Sequence, residues 1–86
     1  MALYFLSYNL RKDRNYQRLY NILNDMNAVP LLESTWCFRR IHTKPNKLRD
    51  FFKDFLDADD GFIVTEVVDW SSSKITKTPN DLVKVM

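Results

Sequence analysis

Ala2-Leu3-Tyr4-Phe5-Leu6-Ser7-Tyr8-Asn9 decides the fold. A strand sends successive side chains to opposite faces, and this one puts bulky apolar groups on both. Leu3, Phe5, Ser7 and Asn9 form one alternate set, and Ala2, Tyr4, Leu6 and Tyr8 form the other. Neither is a solvent face. Phe62 to Asp69 repeats the pattern, with Phe62, Val64, Glu66 and Val68 on one side and Ile63, Thr65, Val67 and Asp69 on the other. Helices packed on such a sheet cover one face, and a second copy of the chain is the natural cover for the other. The pattern therefore predicts a homodimer.

Beyond Asn9 the chain turns polar, and Asp13 is placed to cap a helix. Tyr16, Leu19, Tyr20, Leu23 and Met26 then follow one helical stripe that ends near Asn27. Val29-Pro30-Leu31-Leu32 reads as a short strand at an edge or strand start, because Pro30 cannot donate a ladder hydrogen bond. Thr35 to Ile41 is a run of β-prone residues. Behind Pro45, the residues Leu48, Phe51, Phe52, Phe55 and Leu56 fall at the spacing of a second amphipathic helix, which Asp57 to Gly61 breaks. Phe62 to Asp69 is the fourth strand, and Ser71-Ser72-Ser73 turns the chain after it. The order β-α-β-β-α-β predicts an α+β ferredoxin-like plait, a four-stranded antiparallel sheet with both helices on one face. Residues 1–86 form a single domain, with 2–69 as its core. Residues 70–86 form a tail that could add one more short strand, pairing with the partner chain.

An 86-residue domain buries roughly 60–65% of its surface, so a dimer contact would supplement a small core. At 45% hydrophobic and 14% aromatic residues, the chain is too apolar for disorder. Its one cysteine, Cys37, excludes an intramolecular disulfide and a multi-cysteine zinc site within one chain, and it fits a reducing, cytoplasmic setting. No apolar run approaches the roughly 18–20 residues that span a bilayer. The N-terminus also lacks a signal peptide's basic start and cleavage site. A soluble protein without a membrane partner is expected.

The net charge of +2 is too small to name an anionic partner, so the distribution of charge matters more. Arg11, Lys12 and Arg14 gather after the first strand. Arg39, Arg40, Lys44 and Lys47 gather between the third strand and the second helix. These seven are the candidate contacts to nucleic-acid phosphates. The acids gather elsewhere, in Asp54, Asp57, Asp59 and Asp60, which lack the glycine spacing and terminal glutamate of a calcium loop.

Three segments in order resemble the small CRISPR-associated protein two family and its relatives, the virulence-associated protein D toxins. Tyr4-Phe5-Leu6-Ser7-Tyr8-Asn9 is similar to the family's opening strand, and Glu33-Ser34-Thr35-Trp36 to its hairpin segment. Leu56-Asp57-Ala58-Asp59-Asp60-Gly61-Phe62-Ile63-Val64 is similar to its acidic helix exit. With the element order, the resemblance covers roughly residues 2–69. It implies a homodimer of ferredoxin-like protomers in which a tail strand often completes the partner's sheet. It also implies DNA binding as the non-integrase subunit of spacer acquisition, metal-dependent nuclease activity in some members, and RNA cleavage in the toxin branch. In the nuclease reading, an aspartate closing the first strand of each protomer holds magnesium across the two-fold axis. Asn9 stands at that position here, and a neutral amide brings oxygen without the charge that a hard cation wants. No metal ligand and no cofactor are therefore expected, with Mg2+ confined to a nuclease alternative.

Tyr8, Asn9 and Ser34 are the candidate catalytic residues. The Tyr8 and Ser34 hydroxyls match family positions from which they could bond a phosphate or position a water, but no base stands beside either in the sequence. Trp36 and Phe38 share a face, where they could stack on bases or fill the core. His42 reads as a solvated loop residue and Cys37 as a small buried apolar one. The function expected is a small homodimeric nucleic-acid-binding protein, weakly catalytic or non-catalytic. The alternatives are a divalent-metal endonuclease or endoribonuclease of the toxin kind, and a non-catalytic module that binds a heterologous protein or a ligand.

Overall fold

The computed structural model describes residues 1–9 and 16–82. Its elements are β1 (Ala2–Asn9), α1 (Gln17–Asp25), β2 (Val29–Leu32), β3 (Thr35–Arg40), α2 (Pro45–Lys53) and β4 (Gly61–Val67), followed by a 3-10 turn at Pro79–Asp81. The strands pair antiparallel in the spatial order β2-β3-β1-β4, so β1 is flanked on both sides. Tyr4 lies opposite Phe38 of β3 and Glu66 of β4, and Leu6 opposite Trp36 and Val64. This register gathers the even-numbered side chains of β1 with those of its neighbours on one face.

Both helices bury their stripes against that face. Leu19 and Leu23 of α1, with Leu48 and Phe52 of α2, join Tyr4, Leu6, Tyr8 and Phe38 in one apolar cluster. The Tyr4 and Phe38 rings stack at 5.7 Å, and Phe52 meets Phe38 edge-on at 5.8 Å. α1 ends in a Schellman motif. Asn27 takes φ 58°, its N–H donates to the Asn24 carbonyl, and the Ala28 N–H donates to the Leu23 carbonyl at 2.9 Å. The helix starts at Gln17 without a side-chain cap, and the expected cap Asp13 lies outside the described residues. β3 stops at Arg40, one residue short of the expected Ile41, because His42 takes φ 58°, which an extended strand does not allow. Pro45 then opens α2 in its first turn, where a missing N–H costs nothing.

The opposite face of the sheet is where the structure departs most from expectation. Leu3 and Phe5 of β1 were expected to need a second chain. Instead the chain's own tail turns back over Phe5. Trp70, Ile75 and Pro79 line a hollow together with Phe5, Leu31 and Leu32, and Pro79 is fully buried. Within the tail the described residues form the 3-10 turn at Pro79–Asp81, and 83–86, part of the segment expected to add a strand, lie outside the described residues. A capping box fixes that turn. The Asn80 N–H donates to the Thr78 hydroxyl at 3.2 Å and the Thr78 N–H to Asp81 Oδ2 at 2.8 Å. β4 remains open, with Ile63 63% exposed on this face, and Val68, just past its end, 96% exposed. No helix among the described residues is long and apolar enough to cross a membrane.

Candidate nucleic-acid interface

The candidate residues fall at two opposite ends of the sheet. At the end where β1 finishes, Asn9 lies opposite Gly61, and the Tyr8 N–H donates to the Ser34 carbonyl at 3.1 Å. The β2–β3 turn and the entry to β4 thus flank the same strand end. Asn9 and Ser34 are exposed, whereas Tyr8 is buried. The Tyr8 hydroxyl accepts the Trp36 indole N–H at 3.0 Å. Burial raises the Tyr8 phenol above its ordinary range, only partly offset by that hydrogen bond, so it stays protonated near neutral pH. A buried, protonated phenol already bonded to an indole is a packing group, not a base or nucleophile.

Asp60, one residue before Gly61, is the buried acid of this end. It accepts the Tyr16 hydroxyl at 3.0 Å on one oxygen and the Asp57 N–H at 3.0 Å on the other. Those bonds tie the exit of α2 to the start of α1, which gives the acidic segment a structural task. Asn9 itself offers an amide oxygen without the charge that holds a hard dication, and the Asp60 carboxylate at this end already accepts two hydrogen bonds. Among the described residues, no three His, Cys, Asp or Glu side chains converge as metal ligands. The donors among the described residues do not fit the magnesium that the resemblance implies.

The basic residues are sorted by the pleat. Arg39 lies opposite Leu3 and Arg40 opposite Ala2, so the two neighbours point to opposite faces and cannot act as one patch. Arg40 shares a hollow with Met26, Thr43, Lys47, Leu48 and Phe51. His42, Thr43, Lys44, Asn46 and Lys47 line the adjoining one. The β3–α2 corner therefore gathers Arg40, Lys44 and Lys47, joined by His42, which composition alone did not single out. Arg11, Lys12 and Arg14 lie outside the described residues.

This corner is held from the core. The Tyr4 hydroxyl donates to the Thr43 carbonyl at 3.1 Å, fixing the loop between β3 and α2. The Lys44 carbonyl then accepts the N–H groups of Lys47 and Leu48, both at 3.1 Å, which starts α2. Burial, reinforced by the Glu66 carboxylate 3.5 Å from the hydroxyl, raises the Tyr4 phenol. Through the Tyr4 hydroxyl, Glu66 is linked to this loop. Arg40, Lys44 and Lys47 make no ion pair among the described residues, while the nearby Arg49 spends its charge on Asp50 at 3.0 Å. The corner thus carries three cations without an ion pair among the described residues. From Ala2 to Asn9, β1 spans roughly 23 Å, which separates this corner from the Asn9 end.

Of the two aromatics of β3, Phe38 belongs to the core and Trp36 is half-buried. Phe38 is fully buried, and Trp36 stacks on Tyr20 at 6.4 Å while donating to Tyr8. The aromatic that does reach the surface is Phe51, 40% exposed beside Arg40 and Lys47. No protein-family model, curated protein or solved structure matches this chain.

Proposed function

We propose that this chain is a non-catalytic nucleic-acid-binding protein that holds a phosphate backbone at the β3–α2 corner. The observation that carries the reading is the convergence of Arg40, Lys44 and Lys47 without carboxylate partners among the described residues. Exposed lysines and a guanidinium are the groups that bind phosphates irrespective of sequence. In the same proposal, the β2-β3-β1-β4 order is that of a ferredoxin-like plait, the compartment is the cytoplasm, and the kinship is with the CRISPR-associated protein two family. The three segments that carry that resemblance lie side by side at the Asn9 end of the sheet. The absence of chemistry in the proposal rests on the buried Tyr8 and the uncharged amide of Asn9. The homodimer also belongs to it, but with its contact moved to β4, an edge strand whose Ile63 and Thr65 stand exposed.

The test is direct binding of a labelled mixed-sequence oligonucleotide. Replacing Arg40, Lys44 and Lys47 together with alanine should weaken binding at least tenfold, at roughly 1 kcal/mol or less per exposed contact. Arg39→Ala, on the other face, should change it little. Equal losses from Arg39→Ala and the triple variant would sink the assignment.

A second reading rests on the hollow between the tail and the sheet, about 360 Å³ and lined mainly by apolar groups. That size and lining suit a small uncharged ligand. Trp70 lies in the wall, so its fluorescence should respond to the neutral probe N-phenyl-1-naphthylamine if the hollow takes ligands. An unchanged spectrum at saturating probe would dismiss it.

A further inference from the structure

We infer that the nucleic acid held at this corner is single-stranded, with one base stacked on Phe51 and the backbone running along α2 toward Arg18. The inference rests on the backbone-binding reading of the corner and adds the form of the partner. Lys47 and Phe51 are four residues apart on α2, and residues so spaced are neighbours on a helix surface. Phe51 also borders the hollow that holds Arg40 and Lys47. Its ring packs against Phe52 at 5.3 Å and Phe55 at 5.2 Å, which props it at the surface instead of leaving it to swing freely. Phe55 in turn lies beneath the Arg18 guanidinium, 5.6 Å from the ring centroid. The sequence of groups across the helix layer is therefore cation, aromatic, aromatic, cation.

That alternation is what an unpaired strand requires. A duplex keeps its base faces inside the stack and offers only grooves and phosphates, whereas a single strand can lay a base on a ring while its phosphates reach flanking cations. The apolar rings contribute nothing to duplex binding by charge alone. Asp54, the C-cap of α2, follows Phe51 by three residues and stands beside Lys53, so the strip carries one acid between its cations. Phe52, by contrast, is fully buried and supplies the packing that a core residue supplies.

The experiment measures anisotropy of labelled oligothymidylate, oligouridylate and a mixed-sequence duplex against the full chain and its variants. Single strands of either sugar should bind more tightly than the duplex. Phe51→Ala should weaken single-strand binding by roughly five- to a hundredfold, the range for losing one stacked base, and leave duplex binding within about twofold. Because Phe51 packs on its neighbours, Phe51→Leu and Phe51→Tyr accompany it. Leucine keeps the bulk and should lose affinity, and tyrosine keeps the ring and should retain it. Equal affinity for duplex and single strand, or unchanged binding by Phe51→Leu while the Lys44 and Lys47 variants weaken, would overturn the stacking inference and leave the phosphate corner standing. No binding of any nucleic acid would remove both.

Discussion

Cys37 shows how burial acts on one side chain. It is fully buried, and its thiol is pushed up to about 11 from an ordinary 9.0, chiefly by burial. The unfolded chain releases this proton near the ordinary value and the folded chain only near the raised one. Between those limits the folded state holds more protons, so stability is fully present below about pH 9 and falls as pH rises toward about 11. The loss attributable to Cys37 is at most roughly 3 kcal/mol, at about 1.4 kcal/mol per pH unit. Urea unfolding at about pH 8 and about pH 10.5 should show that decline, and Cys37→Ala should make it shallower, with Tyr4 and Tyr8 supplying the remainder. Identical slopes in both proteins would mean that the thiol is not held in a dry site. The buried character of Cys37 was legible from its place in a β-prone run. Arg39 and Arg40 carry a different lesson. Counted as a charge cluster they looked like one patch, although strand alternation, already assigned to Thr35–Ile41, implies that neighbours part company. Phe51 was not separable by the same means. Leu48, Phe51, Phe52, Phe55 and Leu56 form a stripe too wide for the sheet to cover, and only packing shows which ring is left at its margin.

At the scale of elements, strands and helices were readable because their apolar spacing is regular, and their ends shifted where backbone geometry intervened, as at His42. The tail was not readable in this way. Trp70 to Leu82 has no two- or 3.6-residue period, so nothing in it announced that it would turn back on its own sheet. Its return removes most of the reason for demanding a partner over β1 and β3. Deleting residues 70–86 should lower the stability of the remaining chain by about 2–4 kcal/mol, because Phe5, Leu31 and Leu32 lose their cover. The deficit should not vary with protein concentration, since the contact is within one chain. A deficit that appears only at high concentration would mean that the tail serves a second copy.

The whole molecule measures 32 × 32 × 20 Å, a slab with its helices on one side and a partly covered sheet on the other. What remains uncovered is β4, and a dimer formed there should sediment near twice the 10.3 kDa chain mass at micromolar concentration. Ile63→Lys should shift it to monomer, because an unpaired charge would be buried in the contact. A monomer at every concentration would remove the dimer and leave the basic corner untouched, since Lys44 and Lys47 lie on the helix layer. The central claim is that this corner holds a phosphate backbone, and salt dependence tests it most directly. Plotted as log affinity against log salt, single-strand binding should fall with a slope of about −0.7 per phosphate neutralised. The protein lacking Arg40, Lys44 and Lys47 should show a slope shallower by about 2, and Arg39→Ala should keep the full slope. A slope unchanged by the triple substitution would contradict the claim.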